Sequence, residues 1–135
     1  MIILFGLAGS GKGTQGKALS EIFGWRWLSV GEAIRQTGGY EEIINQGGLI
    51  PDEDVIRIMN KQINKAEDEG FDVILDGYPR DVYQAEYLMS AMPDKIDGAI
   101  ICHTVSGKPI KPKTMGQKKY VDAIKNKMIT FGLGP

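Results

Sequence analysis

Residues 2–19 read IILFGLAGSGKGTQGKAL, a short apolar run that enters a glycine-rich loop and leaves it as a helical pattern. The run at 2–6 suits a buried strand, and the pattern at 13–23 suits a helix that starts where the loop ends. Within the loop, Gly11 and Lys12 stand at the spacing of a phosphate-binding turn. Glycines let successive backbone N–H groups face inward onto phosphate oxygens at a helix start, while Lys12 supplies a point charge near the transferred group. Gly9, Ser10, Gly11, Lys12, Gly13 and Thr14 are therefore the candidate nucleotide-phosphate ligands. Gly13 stands where a Ser or Thr usually follows the lysine, and Thr14 comes next. An ordinary glycine turn is the plainer alternative, but strand, loop, lysine and helix coincide here.

Outward from that loop, apolar runs alternate with helical patterns: WRWLSV at 25–30, DEDVIRIMNKQINKAEDEG at 52–70, FDVILD at 71–76 and DGAIIC at 97–102. The alternation predicts an α/β fold of three layers, α/β/α, with a mostly parallel sheet. Pro51 is expected in the first turn of the 52–70 helix, with the acids after it facing the positive end of the helix dipole. A chain of 135 residues suits one compact domain. Its 42% apolar and 24% charged residues are ordinary globular values, and no apolar run is long enough to cross a membrane. The start of the chain has no basic stretch leading into an apolar one, and the single Cys102 cannot form an internal disulfide; both fit a reducing cytoplasm.

Charge divides the chain sharply. Residues 1–102 carry 9 Lys+Arg against 16 Asp+Glu, whereas residues 103–135 carry 7 lysines against Asp122 alone. The Pro/Lys/Gly mixture after Cys102 reads as an extended linker. The expected organisation is a core at 1–102, with an acceptor-binding insert at about 29–52, followed by a basic tail at 103–135.

The stretch GSGKGTQ at 9–15, with its extra glycine, resembles the adenylate kinase family of nucleoside monophosphate kinases. Three later stretches support the likeness in the right order: LSVGEAIR at 28–35, GGLIPDEDVI at 47–56 and GFDVILDGYPRDVYQAEYL at 70–88. The resemblance implies an enzyme that moves the γ-phosphate of Mg-ATP to a nucleoside monophosphate, AMP foremost. It implies Lys12 and Arg80 as catalytic residues and Arg35 and Arg80 as clamps on the acceptor phosphate. Gln84 would recognise the acceptor base, Val30, Gly31, Gly48, Leu49, Ile50 and Gly77 would line the acceptor pocket, and Asp76 would hold Mg²⁺ through water. Such chemistry needs in-line positioning and charge neutralisation, for which the arginine fork is suited. ATP and the monophosphate are the expected partners of a monomer, with no membrane and no nucleic acid.

Departures from the family pattern carry expectations of their own. Val30 replaces a Ser or Thr that touches the acceptor, Glu32 replaces an Asp, and the stretch between Arg35 and Pro51 is short for the acceptor-binding helices. No arginine follows Arg80, so the lid segment whose arginines close over the donor phosphates is expected to be absent and turnover impaired. An ATP-binding module, or a chimeric or truncated chain with little turnover, is the alternative. The tail resembles the segment upstream of the phosphate loop in PhoH-like ATPases, on the stretch PKTMGQKKYVDAI at 112–124. It reads either as a helix and strand that complete the sheet or as a disordered lysine-rich segment, which could also touch RNA. Cys102 and His103 lack a second ligand pair and suggest no metal site, and Trp25 and Trp27 are expected to pack.

Overall fold

The computed structural model describes residues 1–7 and 9–102. The expected helix and strand in the tail, its lysines and His103 lie outside the described residues.

Four strands form one parallel sheet: β1 (Ile2–Phe5), β2 (Arg26–Ser29), β3 (Val73–Asp76) and β4 (Gly98–Ile101), in the order β2-β3-β1-β4. Parallel neighbours cannot be joined by a hairpin, so each connection carries helix. α1 (Lys12–Phe23) links β1 to β2, and α2 (Val30–Thr37), α3 (Glu41–Asn45) and α4 (Asp52–Asp68) link β2 to β3. α5 (Val82–Ala91) links β3 to β4. The parallel α/β architecture is the one the alternation predicts.

Side chains alternate across a strand, so the register assigns each residue a face. Ile2 pairs with Ile74 and Leu4 with Asp76, while Trp27 pairs with Ile74 and Ser29 with Asp76. These residues share the face covered by α1, where Leu4 and Trp27 press on Gly16. A β-carbon on Gly16 would stand 2.5 Å from the Trp27 indole, so only glycine lets α1 approach the sheet this closely. Ile3, Leu28, Val73 and Leu75 face the other side, in one apolar cluster with Val55, Ile56, Met59 and Ile63 of α4 and Leu88 of α5. β3, buried along its whole length, is the apolar run expected of a strand covered on both faces.

The sequence reading misses α2, α3 and α5. β2 ends at Ser29 and α2 begins at Val30 with no loop, so the apolar run at 25–30 hides the boundary. α5 carries apolar and aromatic residues on several faces, with only Gln84 and Leu88 buried, which blurs its period. Pro51 caps α4 from outside rather than sitting in its first turn: its ψ is 139°, and its carbonyl accepts from Asp54 and Val55 N–H groups at 3.1 Å. Trp25 lies 5.4 Å from Phe23 between ring centroids, and Trp27 packs on α1 with Lys17 Nζ 5.3 Å above its ring.

Tyr78, 1% exposed, buries its hydroxyl with no hydrogen-bond partner among the described residues. Burial holds that phenol well above its ordinary range. Because an unsatisfied buried hydroxyl carries its desolvation penalty uncompensated, Tyr78→Phe should stabilise the fold by about 1 kcal/mol. The midpoint of denaturant unfolding checks this, and a lowered midpoint would show that the hydroxyl has a partner.

Candidate phosphate-transfer site

All four strands run the same way, so their carboxyl ends share one edge. β1 and β3 are adjacent there, and their connections depart toward opposite ends of the sheet, α1 toward β2 and α5 toward β4. Open α/β sheets place ligands at such a switch point.

The glycine-rich loop leaves β1 at this edge and turns into α1. Gly11 caps the helix at φ 84°, a left-handed conformation that suits glycine, and its carbonyl accepts from Gln15 N–H at 2.9 Å. Ser10 N–H donates to Leu7 O at 3.1 Å, closing the turn. Lys12 Nζ donates to Gly6 O and Leu7 O, both at 2.8 Å, so the ammonium is held inside the loop by the loop's own carbonyls. Ser10 is buried, and its hydroxyl has no partner among the described residues. Gly9, Gly13 and Thr14 complete the turn at the positive end of the α1 dipole, where anions are stabilised.

Asp76 ends β3 on the face that carries α1. Its Oδ2 lies 3.8 Å from where a β-carbon on Gly13 would stand, and the residue is 8% exposed. A carboxylate is a hard oxygen donor suited to Mg²⁺. Among the described residues no group of three or more His, Cys, Asp or Glu gathers, so water and phosphate oxygens would complete the shell of a cation held at Asp76. Cys102, at the end of β4, lies beneath the loop; burial raises its thiol, and Lys12 and Asp76 act on it in opposite directions.

Beyond Asp76 the chain turns through Gly77 to Arg80. Arg80 Nε donates to Gly77 O at 2.9 Å; burial lowers the guanidinium from its ordinary value, while Asp76 raises it. Val30, 1% exposed, stands 3.1 Å from the β-carbon position of Gly77, so it braces this turn from the start of α2. Arg35 is exposed on α2 and folds back over Gly31. Gly48 and Leu49 are exposed in the link from α3 to α4, and Ile50 packs on the core. Gln84 is 2% exposed, with its amide bonded to Arg80 N and Asp52 Oδ1. The structure thus gathers the loop, Asp76, Gly77 and Arg80 at one edge, places Val30 beneath the Gly77 turn, leaves Arg35 and Leu49 in solvent and draws Gln84 inside.

Asp52 and Asp81 enter this arrangement without having been singled out from sequence. Asp81 caps α5, accepting from Gln84 N–H at 2.8 Å. The Asp-x-x-Gln spacing of a capping box was the available signal. A cavity of about 330 Å³ lined by Met1, Glu67, Phe71, Asp72 and Asp97 opens at the amino ends of the strands, away from this site.

The fold and this edge define a protein of the phosphate-loop α/β class. The adenylate kinase family model matches residues 4–131, and the chain belongs to that family. It is 41% identical over 108 residues to an adenylate kinase of Methanosarcina acetivorans, covering 73% of this chain and 49% of that protein. Adenylate kinases of Bartonella tribocorum and Clostridium kluyveri are 40% and 39% identical, over 70% and 74% of this chain and 53% and 51% of their own lengths. The chain thus spans about half the length of these curated relatives. The family match runs past the change of charge after residue 102 and takes in most of the lysine-rich segment. No described helix is long and apolar enough to cross a membrane.

Lys12→Ala should abolish measurable ATP binding by calorimetry, because it removes the cation enclosed by the loop while leaving the glycine turn possible. Undiminished affinity would refute the loop's role. Asp81 supplies a pH test. Burial and then the neighbouring Asp52 raise its carboxyl, against N–H groups that lower it. A raised folded value means that its contribution to stability is full below the ordinary 3.8 and is lost as pH rises through that folded value. Asp81→Asn keeps the capping oxygen and removes the charge. Its melting temperature should equal or exceed that of the parent at pH 7, with the advantage shrinking toward pH 4.

Proposed function

We propose that this chain transfers the γ-phosphate of Mg-ATP to a nucleoside monophosphate, with AMP the preferred acceptor. The observation that carries the reading is the placement of Lys12, Asp76 and Arg80 at one sheet edge, with Asp76 between the loop and the arginine. The loop N–H groups and Lys12 hold the donor phosphates, and Asp76 holds Mg²⁺ through water. The metal, when bound, neutralises charge on the donor phosphates. Arg80, with Arg35 swung in from α2, grips the acceptor phosphate. Gly31, Gly48, Leu49, Ile50 and Gly77 border the acceptor, with Val30 bracing the turn and Gln84, its amide engaged by Arg80 N–H and Asp52, supporting Arg80 from within rather than reading the base. No side chain acts as nucleophile: the acceptor phosphate attacks, and catalysis consists of alignment and charge stabilisation.

The chain is read as a cytoplasmic monomer, with residues 1–102 as the catalytic core and 103–135 as a basic tail. Its arginines are Arg26, Arg35, Arg57 and Arg80, with none after residue 80. Arg26 is paired with Glu69, and Arg57 with Asp54 and the Tyr40 hydroxyl, which leaves Arg35 and Arg80 as the arginines for the transferred group. Lacking a preorganised arginine costs phosphoryl-transfer enzymes on the order of a thousandfold or more. Turnover of the 135-residue chain should therefore fall well below the usual enzyme range of about 1–1000 per second. A coupled assay of ADP formation with AMP, CMP, GMP or UMP, and with no acceptor, tests both parts. ATP binding without AMP-dependent ADP formation would leave a binding module, and ordinary turnover would show that lysines substitute for the arginines.

A further inference from the structure

Gln84 is gripped at three atoms in the interior. Its Oε1 accepts from Arg80 N–H at 2.9 Å, its Nε2 donates to Asp52 Oδ1 at 2.8 Å, and its own N–H donates to Asp81 Oδ1 at 2.8 Å. These bonds tie the first residue of α4 to the cap of α5 and to the backbone of Arg80. We propose that Asp52 is a positioning residue for the acceptor site: through Gln84 it fixes the Arg80 backbone, and so the place where the Arg80 guanidinium meets the acceptor phosphate. The inference rests on the reading of Arg80 as an acceptor-phosphate ligand.

The physical case is one of polarity. A buried amide can sit either way round, and only its partners choose. Asp52 offers an acceptor and Arg80 N–H a donor, so rotating the amide would set two acceptors face to face on one side and two donors on the other. At 2% exposure no water is available to repair either clash. Asp52 therefore locks the oxygen of Gln84 toward Arg80. From that fixed backbone the Arg80 side chain folds onto Gly77 O, between Asp76 and the start of α2. Asp52 also directly follows the link that carries Gly48, Leu49 and Ile50, so a shift of that link on acceptor binding is transmitted to Arg80 through one amide.

Calorimetric titration of the full chain with AMP and, separately, with ATP tests the proposal. Asp52→Ala should weaken AMP about tenfold, the equivalent of one lost hydrogen bond, and ATP by less than about threefold. Asp52→Asn, whose carbonyl oxygen still accepts from Nε2, should bring AMP back to within about threefold of the parent. Gln84→Glu should weaken AMP by setting two carboxylates together, and the double variant Asp52→Asn/Gln84→Glu should recover much of it. In that pair the donor and acceptor are exchanged while the relay to Arg80 N–H is kept. The exchange carries the test if Asp52→Ala does not fold. A structural pin with no bearing on the acceptor would lower AMP and ATP binding together, or neither, and either result overturns the proposal, as does failure of the double variant to recover. Arg80→Ala separates the two levels. If it weakens AMP selectively while Asp52→Ala does not, the relay is wrong and the acceptor reading stands; if it leaves AMP binding intact, both fall.

Discussion

The parallel pairing of β1 with β3 is the constraint on which the site depends. It sets Leu4 beside Asp76, so that the strand feeding the phosphate loop and the strand ending in the carboxylate reach the same edge on the same face. A slip of one residue would turn Asp76 into the apolar layer beneath α4 and expose Leu75 in its place. The buried Val73, Ile74 and Leu75 make that slip expensive, since each is matched to the face it lies on. The apolar core thus determines where a charge stands.

The loop follows from the same geometry. A helix that begins at the carboxyl end of a central strand points its unpaired N–H groups along that edge, and the left-handed Gly11 lets the chain make the turn. In this state Lys12 satisfies its ammonium with two loop carbonyls. Phosphate oxygens would replace neutral acceptors with charged ones, so the exchange is favourable where the carbonyls alone are merely adequate. Asp76 stands near enough to influence both Cys102 and Arg80, which places opposite charges in one partly buried region where they interact more strongly than in water.

A polar side chain brought inside this fold can serve the protein or a ligand. Gln84 illustrates the trade. An amide that reads a ligand needs free donors and acceptors, whereas one that fixes an arginine backbone needs them engaged. Here Asp52, Asp81 and Arg80 N–H engage it. The Tyr78 and Ser10 hydroxyls, the Trp27 indole N–H and Asn60 Oδ1 are buried with no partner among the described residues.

Much of this was legible in the chain because the controlling interactions are local. The apolar run at 2–6, the loop and the pattern at 13–23 correspond to β1, the turn and α1, while 52–70 and 71–76 correspond to α4 and β3 within a few residues. Glycine spacing and short-range periodicity depend on neighbours in sequence, and so survive without tertiary context. α2, α3 and α5 did not announce themselves: α2 begins directly at the end of a strand, α3 is five residues long, and α5 has no clear apolar stripe. What Val30, Asp52 and Gln84 touch, and the face that Asp76 takes, required the fold. The motif places Asp76 at a strand end, but which face it takes is set by pairing with Leu4, more than seventy positions away. The partner of the Gln84 amide lies 32 residues earlier, at the start of another helix. Composition and spacing determined that a glycine-rich loop between strand and helix and a parallel sheet would form; the long-range packing of α4 and α5 decided which polar groups lie at the sheet edge and which hold the protein together, because burial and hydrogen-bond complementarity exist only between segments that the chain has already brought together.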